Sequence, residues 1–240
     1  MARRRLPLWA TMALNVLAAL VVVSLVQAFA IKLVRIPSGS MERTLRSSEA
    51  GGDRVLVNRL AYVAGAKPEP GDIVVFTRPR AWSAEAPWDP RDGIAAVVRA
   101  FGDLTGIGPS NGDYLVKRVV ARGGQTIACC DAEGRLERNG QGVDEPYVFE
   151  DLPFVRGQHD CTTTPRSPRC FSPFAVPDGE FVLLGDHRSA SADSLIACRA
   201  SRPADVAPSP ESCVRTVSLG EIVGRVDARI WPLDRFGPVT

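Results

Sequence analysis

The pattern of apolar and polar positions divides the chain into three regions. An uncharged, strongly apolar stretch runs from Leu6 to Ile31, with Arg3, Arg4 and Arg5 before it and Lys32 after it. At about 1.5 Å per residue it is long enough to cross a hydrocarbon core of about 30 Å. Beyond residue 45 the chain reads as short β-branched runs bounded by turns, at 54–60, 72–77, 113–121, 180–186 and 221–231. Asn139-Gly140 lies between short flanking segments at 134–143 and predicts a two-residue hairpin. Residues 91–105 break the β pattern. They place Ile94, Val97, Val98 and Phe101 at helical spacing, which predicts a short amphipathic helix. Segments 151–178 and 198–213 read as long external loops. The expected fold is mainly β: an N-terminal transmembrane helix, then an all-β, mostly antiparallel ectodomain with one short helical insertion.

The charges flanking the apolar stretch set its expected orientation. Basic residues favour the cytoplasmic side, so residues 1–5 are expected in the cytoplasm, 6–31 as the membrane anchor and 32–240 outside the cell membrane. A cleaved signal sequence is the alternative, because Ala28-Phe29-Ala30 resembles a cleavage site, but the apolar stretch is longer than the usual ~7–15 residues. The overall charge is nearly balanced, with 29 basic and 27 acidic residues, which gives no reason to expect a nucleic-acid partner. The 19 prolines and 21 glycines fit short elements joined by many turns.

The 6 cysteines all follow the apolar stretch, where an oxidising exterior would preserve disulfides. There is no CxxC pair and there are only 2 histidines, so structural bridges are favoured over zinc, and no metal is expected. The expected short-loop pairs are Cys161–Cys170 and Cys198–Cys213. The adjacent Cys129 and Cys130 leave the full connectivity open.

The segment IPSGSMERTL at 36–45 is a poor helix and a poor strand, and it presents Ser40 in a turn shaped by Pro37 and Gly39. A serine hydroxyl needs a base before it becomes a useful nucleophile. Histidine is available only at 159 and 187, and no GxSxG elbow is present, so a Ser-His arrangement remains possible on composition alone. Lysine occurs only at 32, 67 and 117. Lys117 stands in a strand whose two faces are both largely apolar, so it is expected to be buried. Burial disfavours the ammonium and lowers a lysine pKa from about 10.4 towards the range of a usable base. A lysine reaching out to solvent from the end of a strand is the plainer alternative.

IPSGSMERTL, GDIVVF at 71–76, DYLVKRVVARGGQTI at 113–127 and GDHRSASADS at 185–194 resemble, in order, the conserved boxes of the type I signal peptidases. GRVDARIWPLDRFG at 224–237 is similar to that family's C-terminal strand. The resemblance implies a membrane-anchored serine endopeptidase that removes signal peptides from exported preproteins and needs no cofactor. It implies Ser40 as nucleophile, Lys117 as general base, and Ser38 with the Ser40 amide as the oxyanion hole. Ser191 would orient the lysine, and Arg118, Asp186 and Asp193 would form a buried ionic cluster behind the site. Ile36 and Val116 match walls of shallow pockets for small residues at positions −1 and −3 of an extended substrate. The partners implied are those preproteins and the lipid bilayer.

Three positions depart from the family pattern: Arg43 for proline, Gln125 for aspartate, and Leu195 for arginine. The last would leave Arg118 to carry the pairing of Asp193, or leave the loop looser. A self-cleaving Ser-Lys protease and a disulfide-stapled, anchored binding module are the competing functions.

Overall fold

The structure is a computed structural model that describes residues 7–47, 52–79, 82, 93–105, 113–199 and 209–239. Arg3 to Arg5, the first two positions of the helix expected over 91–105, and part of the loop expected over 198–213 lie outside the described residues.

The first helix, α1, is Leu8–Phe29, with 22 residues and nearly all of its apolar side chains exposed. At about 1.5 Å per residue it is about 33 Å long, enough for a bilayer core. It is the one helix among the described residues long and apolar enough to cross a membrane. It ends before Ile31, which was expected to close the apolar segment but is the first residue of strand β1, Ile31–Arg35.

The expected strands follow with slightly shifted ends. They are β2 (Arg54–Asn58) and β3 (Ile73–Thr77), then, after helix α2 (Ile94–Thr105), β4 (Tyr114–Arg122). A smaller hairpin system follows, with β5 (Thr126–Cys129), β6 (Leu136–Arg138), β7 (Gln141–Gly142) and β8 (Phe171–Ala175). The chain closes with β9 (Glu180–Leu184), the short helix α3 (Pro210–Cys213), β10 (Val217–Ser218), β11 (Ile222–Trp231) and β12 (Gly237–Pro238). Strand β2 stops at Asn58 because its side-chain carbonyl accepts the Leu60 amide at 3.0 Å and turns the chain. Asn139 and Gly140 have φ of 54° and 73°, the left-handed pair that the predicted tight hairpin requires.

All pairings between these strands are antiparallel among the described residues. The larger sheet has the order β1-β2-β11-β3-β4-β9-β10, with β12 added to β11, and the smaller one has the order β7-β6-β5-β8. Strand β8 falls within the segment expected to be a loop over 151–178. Phe171 and Phe174 are buried there, and Pro173 is tolerated because β8 is an edge strand.

Both faces of β3 and β4 are covered, as the sequence pattern predicts for 113–121. Ile73, Val75 and Val116 pack with Val34, Ile36, Met41, Leu45, Val55 and Val57, whereas Val74, Phe76 and Val119 pack with Trp82, Phe181 and Leu183. Polar groups on these strands are therefore held in an apolar interior, which sets the chemistry of the site. The expected pairs Cys161–Cys170 and Cys198–Cys213 are both disulfide-bonded, with Cα atoms 5.5 and 4.9 Å apart, and Cys129 is bonded to its neighbour Cys130.

Candidate active site

The turn after β1 delivers Ser40. Ser38 is extended, and Gly39–Met41 forms one turn of 3-10 helix. The amides that open such a turn have no partner within it, so they point outward as donors. Met41 and Leu45 anchor the turn, at 1% and 0% exposure, so Ser40 cannot drift from the sheet. Arg43 has φ of 68°, a conformation closed to proline, and its guanidinium lies 4.9 Å from the centre of the Phe149 ring. The family's usual proline would therefore require a different backbone here.

Lys117 comes to the same point from β4. Its amine donates a short hydrogen bond to Ser40 Oγ, and the two residues are 3% and 7% exposed. Ser38 Oγ lies 3.3 Å from Ser40 Oγ. The dyad expected from sequence is thus brought together from positions 77 residues apart. Burial strips water from the amine and favours its uncharged form.

Neither histidine takes this place. His187 Nδ1 hydrogen-bonds the Gly39 carbonyl at 3.3 Å and Nε2 faces Glu150 at 3.2 Å, while His159 Nδ1 meets the Pro165 carbonyl at 3.2 Å. His187 also donates its amide to the Ser40 carbonyl at 3.1 Å, so the loop after β9 buttresses the Ser40 turn.

Ser191 is buried, but its hydroxyl has no hydrogen-bond partner among the described residues. The expected bond to Lys117 is not made. The hydroxyl sits close to the Ser40 carbonyl across Gly185: a Cβ added at Gly185 would collide with both.

The ionic cluster divides into two. Arg118 grips Asp186 with two bonds of 3.0 and 2.8 Å, and Asp186 also accepts the Thr44 hydroxyl at 2.6 Å. This ties β4, the 185–194 loop and the segment that carries Ser40 and Thr44 together. The Arg118 guanidinium lies 3.8 Å from the centre of the Tyr147 ring. Burial, reinforced by the Glu145 carboxylate beside it, pushes the Tyr147 phenol pKa up and keeps it neutral. Asp193 does not pair with Arg118. It meets Arg199 at 3.2 Å and accepts the amides of Gly185 and Leu195 at 3.2 and 3.1 Å. Arg199 thus supplies the charge missing at Leu195, whose side chain is buried in the core instead.

A cleft of about 220 Å³ opens beside the dyad, lined by Ser38, Ser40, Leu115, Lys117, Ala190 and Ala192, with Arg78, Trp82, Ile196 and Arg215 further along. Ile36 and Val116 do not line it; both are buried in one apolar cluster. Sequence reasoning did not single out Arg78, Trp82, Ile196 or Arg215. Arg78 had a signal, since it directly follows an apolar strand that pairs with the lysine strand. Arg215 had none, because the 198–213 bridge brings it back from far along the chain.

A buried serine hydroxyl hydrogen-bonded to a buried lysine amine, at the head of an open cleft, is the arrangement that a serine hydrolase with a lysine base requires. Residues 9–231 match the family described as signal peptidase, peptidase S26, and the chain belongs to that family. Signal peptidase I of Mycobacterium tuberculosis is 35% identical over 207 residues, covering 85% of this chain and 66% of that protein. A probable signal peptidase I of Mycobacterium leprae is 33% identical over 208 residues, covering 85% of this chain and 70% of that protein. The chain therefore spans about two thirds of the length of these curated relatives. A solved signal peptidase I from Enterococcus faecalis superposes over 67% of this chain and 97% of its own, with a TM-score of 0.34 and 19% identity, a score too low to bear on the fold.

Proposed function

We propose that the protein is a membrane-anchored serine endopeptidase that cleaves signal peptides from exported preproteins. The observation that carries this reading is the hydrogen bond from the Lys117 amine to Ser40 Oγ inside a desolvated pocket. In the uncharged state Lys117 takes the Ser40 proton as Oγ attacks the scissile carbonyl. The oxyanion that forms is met by the Ser40 amide and the Ser38 hydroxyl, donors aimed at charge that exists only in the transition state. Lys117 then protonates the departing amine. In the second half of the cycle it removes a proton from the water that releases the acyl group.

Substrate enters as an extended strand. Strand β9 pairs with β4 only from Arg118 to Arg122, so Tyr114 to Lys117 have no strand on that side among the described residues. A peptide can add there by β-augmentation, with its scissile bond reaching Ser40 at the end of the unpaired stretch. Small residues at −1 and −3 suit a cleft whose walls near the dyad include Ala190 and Ala192. Helix α1 holds the site at the lipid surface, with the catalytic domain outside the cytoplasm.

The test is incubation of the full-length protein in detergent with a preprotein carrying an Ala-x-Ala site, comparing wild type with Ser40→Ala. Wild type should release the mature chain with its N-terminus directly after the second alanine, and Ser40→Ala should release none while keeping its melting temperature. Equal cleavage by the two would end the proposal. Cleavage confined to the enzyme's own chain would favour a self-processing protease.

A further inference from the structure

Helix α2 presents its apolar residues in the wrong direction for a water-soluble domain. Ile94, Val97, Val98 and Phe101 recur at helical spacing and form one stripe, yet they are 84%, 69%, 47% and 53% exposed. Small residues lie on the inward side instead: Ala95 and Ala96 are half-buried and Gly102 is buried, although Ala100 is exposed. Small residues let two helices approach closely, and α2 packs against α1. The covered stripe of α1 is Leu20, Ser24 and Gln27, in its second half, so that is where α2 lies. Large apolar residues on the same part of α1, Val21, Val22 and Leu25, are 50%, 59% and 53% exposed. The outward stripe of α2 is therefore continuous with the exposed surface of a helix long and apolar enough to span a bilayer.

From this continuity, and resting on the reading of α1 as the membrane anchor, we infer that α2 is an interfacial membrane helix. It lies beside the outer half of α1 with Ile94, Val97, Val98 and Phe101 immersed among lipid acyl chains. A 12-residue amphipathic helix of about 18 Å suits this placement, being too short to span and having one apolar side to bury. An exposed apolar patch on a soluble surface would otherwise invite association with other proteins. Here it extends a lipid-facing surface that the anchor already requires. The chain would then hold the membrane at two places, and the second would stop the catalytic domain from swinging freely about the end of α1.

The full-length protein reconstituted into phosphatidylethanolamine–phosphatidylglycerol vesicles containing a lipid with a photoreactive diazirine in its acyl chain tests this directly. After irradiation and tryptic digestion, adducts are expected in the peptide ending at Arg99, which holds Ile94, Val97 and Val98, as well as in α1. Adducts in α1 with none in that peptide would overturn the inference. An absence of adducts in α1 would instead overturn the anchoring on which it rests. The double variant Val97→Glu, Phe101→Glu should lose at least fivefold of the α2 labelling while hydrolysing a short soluble peptide in detergent at the wild-type rate, which reports an intact fold. Undiminished labelling in that variant would also refute the role of the stripe.

Discussion

Lys117 has to be buried to be a base, and a buried cation is what the surrounding apolar side chains oppose. Lys117→Arg keeps the charge and gives up the chemistry, because a guanidinium does not deprotonate. It is expected to lower kcat by about 10²–10⁴, the usual contribution of a general base, with far-ultraviolet circular dichroism unchanged. In the wild type, activity should climb with pH, since raising pH moves Lys117 from the ammonium, which cannot accept the Ser40 proton, to the amine, which can. A rate that falls steadily from pH 6 to 9 would contradict that role.

Gly185 makes a second prediction at this scale. With Ser191 Oγ and the Ser40 carbonyl both in the way of a Cβ, Gly185→Ala has to displace the Ser40 turn or the loop beside it. About a 10²-fold loss in kcat is expected, the cost of misplacing a reacting group by about 1 Å. Titration with a serine-directed covalent inhibitor should show the same loss in the rate of acylation. That Ser40 and Lys117 would meet was legible in the sequence, because motifs of fixed local form carry both. The partner of Asp193 was not, since Arg199 reaches it from outside every motif and only the folded loop brings the two together.

Element by element, the β-branched runs gave the strands of the larger sheet, because those strands are buried and their period is set by the core. Strand β8 was hidden by its central proline and by a bulge against β5 between Ile127 and Cys129, which together break the two-residue alternation. Helix α2 was legible from its periodicity, but the same pattern suggests an inward apolar face, and the structure turns it outward. The Cys198–Cys213 bridge closes a loop of sequence separation 15, worth about 3 kcal/mol in the chain-entropy picture. Replacing both cysteines by serine should lower the melting temperature by several degrees. It should also weaken activity, since Arg199 and Arg215 flank the bridge. A second element-scale prediction concerns the 157–167 loop. Asp160 there accepts the amides of Gly157 and Thr162 and the Thr162 hydroxyl, which hold its pKa down to about 2 from the ordinary 3.8. A depressed carboxylate stabilises its loop fully above the unfolded value and loses that contribution as pH falls through the folded one. Amide exchange at Gly157 and Thr162 should therefore stay slow at pH 5 and quicken, relative to its intrinsic rate, between pH 4 and 2. Asp160→Asn should show the fast behaviour at every pH.

At the scale of the whole molecule, the proposed anchoring carries an expected orientation, because basic residues precede the apolar stretch and favour the cytoplasmic side. Protease added outside spheroplasts should digest the β domain, while a tag placed before Met1 should survive until the membrane is permeabilised. Protection of the β domain in intact spheroplasts would reverse the orientation. The proposed entry of substrate bears on one feature of the larger sheet, the stretch of β4 from Tyr114 to Lys117 along which β9 does not pair and no other strand lies on that side among the described residues. Main-chain amides and carbonyls are the same in every polypeptide, so a docking edge made of them reads the shape of a chain and not its identity. An enzyme that first grips its clients this way is indifferent to most of their sequence. On the proposed docking, breadth of clientele would then be a property of one short unpaired stretch of strand, and selectivity would be left to the few side chains that must enter the cleft.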